Sequence, residues 1–203
     1  VADSGVITPF NSSDFPEEIR KVGLALSTDH SPRYGKIDPY WAAVNAVAES
    51  MRNVAAVGAT PVAMTDCLCF GNPEKPEQMW EFVEATRGVA EACKNIHLME
   101  HPTQATPIVA GNVSFYNETA NGSIPASPII SCTGKMNNAD LALNSNFKAT
   151  DSTIILIGER KDECGGSVYY SLFNELGKNL PKPDFNEVEG QIFTVIDIIT
   201  NNL

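Results

Sequence analysis

The segment that most constrains the fold is residues 38–58, which read as an alanine-rich helix. Asp38 can cap its start, and Pro39 suits the first helical position, where no backbone donor is needed. Tyr40, Val44, Val47, Met51 and Val54 recur at helical spacing, and Trp41, Ala48 and Ala55 widen the apolar stripe. Asn45, Glu49 and Arg52 leave only a narrow polar face. So many small side chains imply close packing against a sheet or another helix. Gly58 fits the position just past the helix end.

Strand-like runs flank this helix at residues 22–28 and 61–69. A turn at Gly71-Asn72-Pro73 leads to a second helix starting at Pro76, with Glu77 near its positive end. Met79, Phe82, Val83, Val89, Ala90 and Cys93 supply its buried face, and Glu84 and Arg87 can pair. Residues 94–105 read as irregular, 107–113 as a third strand, 116–126 as a polar loop and 127–133 as a fourth strand. The order β-α-β-α-β-β defines an α/β class, an α+β sandwich. Further on, residues 153–157 read as a new strand, 168–176 as a helix after Gly165-Gly166-Ser167, and 187–201 as a last helix. The expected division is a linker or hinge at 1–21, an α/β domain at 22–135, a connector at 136–150 and the opening of a second domain at 151–203.

The net charge of −11 argues against nucleic acid as a partner, because phosphate backbones require clustered Lys and Arg. It leaves a nucleotide ligand open, since backbone amides and a bound metal can hold phosphate. No apolar run approaches the roughly 20 residues of a membrane helix, so no membrane is expected. Five cysteines in 203 residues, an odd number, suit a reduced, cytoplasmic setting. Cys67 and Cys69 are expected on opposite faces of their strand, without a shared metal.

Two segments place polar residues where a strand hands over to a loop, a common position for ligand sites in α/β proteins. They are Thr65-Asp66-Cys67-Leu68-Cys69-Phe70-Gly71-Asn72-Pro73-Glu74-Lys75-Pro76 and Gly111-Asn112-Val113-Ser114-Phe115-Tyr116-Asn117-Glu118-Thr119. Asp66 could face a nucleotide or its metal, or cap a nearby turn or helix. Gly111 lets a phosphate or base approach the backbone, Asn112 offers an oxygen to magnesium, and Ser114 offers a hydroxyl to phosphate. Gly111-Asn112-Val113-Ser114 could instead form a tight turn closed by the Asn112 side chain. Gly165-Gly166-Ser167 could cradle phosphate at a helix start. His97 and His101 have the spacing of a helical zinc pair, but Pro102 argues for a surface loop; His30 has no evident catalytic partner.

From Leu24 to Gly134 the chain resembles the second half of the synthetase subunit of phosphoribosylformylglycinamidine synthase, in its small, separate-subunit form. Ala25-Leu26-Ser27-Thr28-Asp29, Asp38-Pro39-Tyr40, Ala46-Val47-Ala48-Glu49, Arg52-Asn53-Val54, the two segments above and Ile124-Pro125 carry the resemblance. It implies an aminoimidazole-ribotide-synthetase-like N-terminal-type domain, followed by the start of the C-terminal-type domain. It implies an ATP-dependent carbon–nitrogen ligase that joins formylglycinamide ribonucleotide and glutamine-derived ammonia, with ATP and Mg2+ as cofactors. The substrate amide is phosphorylated and ammonia displaces the phosphate. Glutaminase and small bridging subunits are the implied partners.

By the same resemblance Asp66 and Gly111 would contact ATP, Asn112 a magnesium ion and Ser114 the ribonucleotide. The family's catalytic histidine and most magnesium carboxylates belong to the other half, so no catalytic residue is assigned here. The chain is expected to be a piece of a longer protein, inactive alone and able to self-associate through the surface meant for its missing half. Cys69 stands where the family usually has Asn, Cys164 replaces a usual Leu, and the region of His97 to Gln104 looks like an insertion. Another superfamily kinase or maturation protein, or a non-catalytic nucleotide-binding or assembly module, remain the alternatives.

Overall fold

The computed structural model describes residues 2–201. Its elements, in chain order, are β1 (Gly5–Ile7), β2 (Gly23–Asp29), α1 (Pro32–Gly35), α2 (Pro39–Ala56), β3 (Thr60–Cys69) and α3 (Pro76–Asn95). Then come β4 (His97–Leu98), β5 (His101–Ala105), β6 (Ile108–Ser114), β7 (Glu118–Thr119), β8 (Gly122–Ser123), β9 (Ser127–Met136), α4 (Val168–Ser171) and α5 (Phe185–Thr200).

Five strands form one mixed sheet in the order β1-β2-β9-β3-β6. Among the described residues only the β3–β6 pair is parallel, and α3 supplies the crossover that a parallel pair requires. α2 starts as its sequence dictates: the Asp38 carboxylate accepts the backbone N–H of Trp41 at 3.1 Å, with Pro39 in the first turn. Its stripe of Val44, Val47, Met51 and Val54 is fully buried against the sheet residues Ala25, Met64, Ile130 and Cys132. α3 and α5 pack beside α2. The narrow polar face of α2 is covered by the C-terminal segment: Asn45 donates to the Pro181 carbonyl at 2.8 Å, and Arg52 to Gln191 at 3.3 Å. The other side of the sheet carries Leu26 and Ile7, which stay 54% and 64% exposed.

Several expectations need correction. Residues 1–21 are not only a linker, because Gly5–Ile7 pairs with β2 as an edge strand. Residues 94–105 are not irregular; they contain the β4–β5 hairpin, where His97 Nδ1 lies 2.8 Å from a Glu189 carboxylate oxygen and His101 is exposed. The polar loop at 116–126 holds the small β7–β8 hairpin. Residues 153–157 form no strand: Ile154 and Ile155 are 78% and 77% exposed, and no neighbouring strand pairs with them among the described residues. An extended run without a ladder partner satisfies no strand hydrogen bonds. The helix at 168–176 shrinks to the four residues of α4.

Cys67 and Cys69 also depart from expectation. Residues two apart in a strand share a face, and the two Sγ atoms lie 3.6 Å apart.

Candidate functional site

β3 and β6 run side by side and end together, so their following loops meet. In register, Asp66 pairs with Gly111, Cys67 with Asn112 and Cys69 with Ser114. Strand alternation then divides the four candidates. Asp66 and Gly111 lie on the side of the sheet that faces the helices, with Met64 and Leu68. Asn112 and Ser114 lie on the other side, with Cys67 and Cys69. The structure therefore brings the candidates together in two pairs and not in one cluster.

Among the described residues Asp66 caps neither a turn nor a helix, and the nearby Asn112 backbone N–H favours its charged form. Gly111 makes room for it, because a Cβ built there would stand 2.1 Å from Asp66 Oδ1. An alanine at this position displaces the carboxylate before it disturbs the strand. Asn112 is exposed on the edge strand, in extended backbone, so the alternative of a tight turn closed by its side chain does not hold. The turn comes later, and Asn117 organises it. Its Nδ2 donates to the Phe70 carbonyl at 3.0 Å and to the Ser114 carbonyl at 2.8 Å, and lies 3.1 Å from Ser114 Oγ. Asn117 thus ties the end of β6 to the end of β3 and holds the Ser114 hydroxyl. Sequence reasoning missed this role; an Asn three residues past a strand-end Ser was the available signal.

Burial raises the pKa of Asp66 above its ordinary value of 3.8, and the Asn112 amide opposes the shift. A carboxyl with a raised folded-state pKa contributes stability that is complete in acid and is lost as pH rises through that pKa. Asp66→Asn keeps the acceptor oxygen and removes the charge. It is expected to melt above the parent chain at pH 7 and level with it below pH 3.8, the unperturbed value. Equal melting temperatures at both pH values in scanning calorimetry would refute this.

Magnesium takes six oxygen ligands in octahedral array. In register on its face, Asn112 has Cys67 as neighbour and no carboxylate, and no group of three or more metal-ligating side chains occurs among the described residues. Asn112 can offer one oxygen, so these residues do not make a magnesium site by themselves. The Gly165-Gly166-Ser167 segment makes no phosphate cradle. The Gly165 and Gly166 amides already donate to the carbonyls of Asn179 and Leu176, each at 2.7 Å, and Ser167 caps a four-residue helix.

A mixed sheet with helices packed on one face and two strand-end loops brought together describes an α/β domain. Residues 3–136 match the family AIR synthase related protein, N-terminal domain, and the chain belongs to that family. Over all 203 residues it is 48% identical to the phosphoribosylformylglycinamidine synthase subunit PurL of Methanothrix thermoacetophila, and it spans 26% of that relative's length. PurL of Thermotoga maritima complexed with ATP superposes with a TM-score of 0.53 at 28% identity, over 63% of this chain and 20% of that one. The same T. maritima protein complexed with FGAR superposes with a TM-score of 0.50 at 29% identity, over 61% and 19% of the two chains. No helix among the described residues is long and apolar enough to cross a membrane.

Proposed function

We propose that this chain supplies part of the active site of an ATP-dependent ligase in purine biosynthesis. The reaction converts formylglycinamide ribonucleotide, ammonia from glutamine and ATP into formylglycinamidine ribonucleotide, ADP and phosphate. The observation that carries this reading is the 48% identity to a PurL subunit along the whole chain. In it, Asp66 and Gly111 contact ATP, Asn112 gives one oxygen to magnesium, and Ser114 binds the ribonucleotide. The remaining magnesium ligands come from phosphate, water and residues outside this chain. When bound, the metal offsets charge on the transferring phosphoryl group. Asn117 keeps the Ser114 hydroxyl in place for the substrate. The catalytic residues lie in another part of the protein, which acts in the cytoplasm with a glutaminase subunit and a small bridging subunit.

The test is Asn112→Ala in the full-length protein that carries this segment. Its magnesium requirement for product formation should rise roughly tenfold or more, the scale on which groups that arrange a metal act. Unchanged magnesium dependence rejects the role of Asn112. The 203-residue chain alone should show no turnover, and product formed by it would overturn the reading of a divided site.

The open sheet face, with Ile7, Leu24, Leu26 and Ile129 among its residues, is the surface through which this domain pairs with a second domain of its kind. On that reading the isolated chain self-associates. Light scattering that finds only monomer at high concentration counts against it.

A further inference from the structure

Cys67 and Cys69 are both free, both partly exposed, and their Sγ atoms lie 3.6 Å apart on the open face of the sheet. β3 is hydrogen-bonded to β9 on one side and β6 on the other, so the strand backbone holds this spacing. A centre bound to both sulfurs at an ordinary metal–sulfur length of about 2.3 Å would see them at an angle of about 100°. That angle suits a pyramidal or tetrahedral centre and not a linear one. A disulfide would need the sulfurs to close to about 2.05 Å inside a strand fixed on both edges. Chelation needs no such movement.

The surroundings narrow the occupant further. The in-register neighbours on this face are Asn112 and Ser114 on β6, and Ile129 and Ser127 on β9. None is a carboxylate, an imidazole or a cation, and no third metal-ligating side chain joins the pair among the described residues. Burial, with the hydrogen bond to Cys67, pushes the Cys69 thiol up, so the site resists anionic sulfur. Zinc prefers four ligands and thiolate sulfur, and finds neither here. Trivalent arsenic with one organic substituent is satisfied by two sulfurs and gives a neutral adduct.

We propose that Cys67 and Cys69 form a chelating dithiol site for trivalent arsenicals. With an arsenical of the type RAs=O, two As–S bonds replace the bonds from arsenic to oxygen. The two thiol protons leave with that oxygen as one water, and no atom changes oxidation state. The adduct stands in the same cross-strand rows as Asn112 and Ser114, on the face that those residues share.

The probe is phenylarsine oxide added in equimolar amount to the folded chain, at a dilution where light scattering finds monomer, because the dithiol shares the open face with Ile129. Intact-mass measurement should find one adduct, equal to the probe less one water. 2,3-Dimercaptopropanol should strip it, and a monothiol at the same thiol concentration should not. Cys67→Ser and Cys69→Ser should each weaken the adduct by roughly 100-fold or more, the scale of losing one arm of a two-point attachment. Cys164→Ser should leave it unchanged. Because a serine variant could fold poorly, the wild-type chain gives a second measurement: the probe should protect Cys67 and Cys69 together from alkylation by iodoacetamide in peptide mapping. An adduct of undiminished affinity in a folded Cys67→Ser or Cys69→Ser variant overturns the site. So does alkylation of both cysteines at the unprotected rate.

Discussion

Phe70→Ala is expected to cost about 3–5 kcal/mol of stability, the range for truncating a fully buried phenylalanine. Phe70 has no exposed surface. Its ring meets Phe82 of α3 edge-on, with centroids 5.4 Å apart, and Phe82 meets Phe115 in the same way at 5.1 Å. Truncation removes the end of this chain of rings and leaves a void between α3 and the ends of β3 and β6. The Phe70 backbone also carries the Asn117 contacts: its carbonyl accepts both the Asn117 backbone N–H at 3.1 Å and Nδ2 at 3.0 Å. A loss of packing there frees the loop that holds Ser114. Urea unfolding should show the lost stability, and amide exchange should show Asn117 losing protection more than α2 does. A loss under 1 kcal/mol would mean that the aromatic cluster is not a structural element of the site.

Gly88→Val should destabilise by about 2–3 kcal/mol, at the upper end for overpacking a close-packed seam. Gly88 lies where α3 crosses the first turns of α2. A Cβ there would stand 2.3 Å from the Tyr40 carbonyl oxygen and 3.0 Å from the Ala43 Cβ. The carbonyl belongs to helical backbone and cannot rotate away, so the helices must separate. Ala43, Ala85 and Ala92 are fully buried along the same seam, and each loses contact as the gap opens. Gly88→Ala is the milder companion: it gains up to about 1 kcal/mol of helix propensity against the clash. Thermal melting should rank the parent chain first, alanine second and valine last. A valine variant that melts with the parent would show that the seam yields.

The sequence made the long helices α2, α3 and α5 plain because their signals are local. Asp38-Pro39, Pro76 and the 3.6-residue stripe are all read within one segment. β3 and β6 were equally visible as apolar runs. Their pairing was not, nor was the place of β9 between β2 and β3, because strand order depends on residues far apart in the chain. β1 escaped notice since three residues in a polar stretch carry no period. Residues 154–157 misled in the opposite direction: four apolar residues in a row resemble a strand whether or not a partner exists. The candidate site was partly legible. Its loops follow from glycine, proline and strand ends, and the family resemblance supplied the roles proposed for Asp66, Gly111, Asn112 and Ser114. Their division between two faces was available from strand parity alone, since Asp66 alternates in step with Met64 and Leu68. The same rule of two would have put Cys67 beside Cys69. Asn117 needed the structure, because its partners lie on two different strand ends.

The position of β6 at the rim of the sheet has a consequence for any molecule that touches all four candidates. Asp66 and Gly111 lie behind this strand and Asn112 and Ser114 in front of it, so such a molecule must bend around the rim. The outer margin of an edge strand carries backbone N–H and C=O groups with no ladder partner. A ligand folded over that margin would therefore meet a row of main-chain donors and acceptors at its bend, whatever side chains grip its two ends.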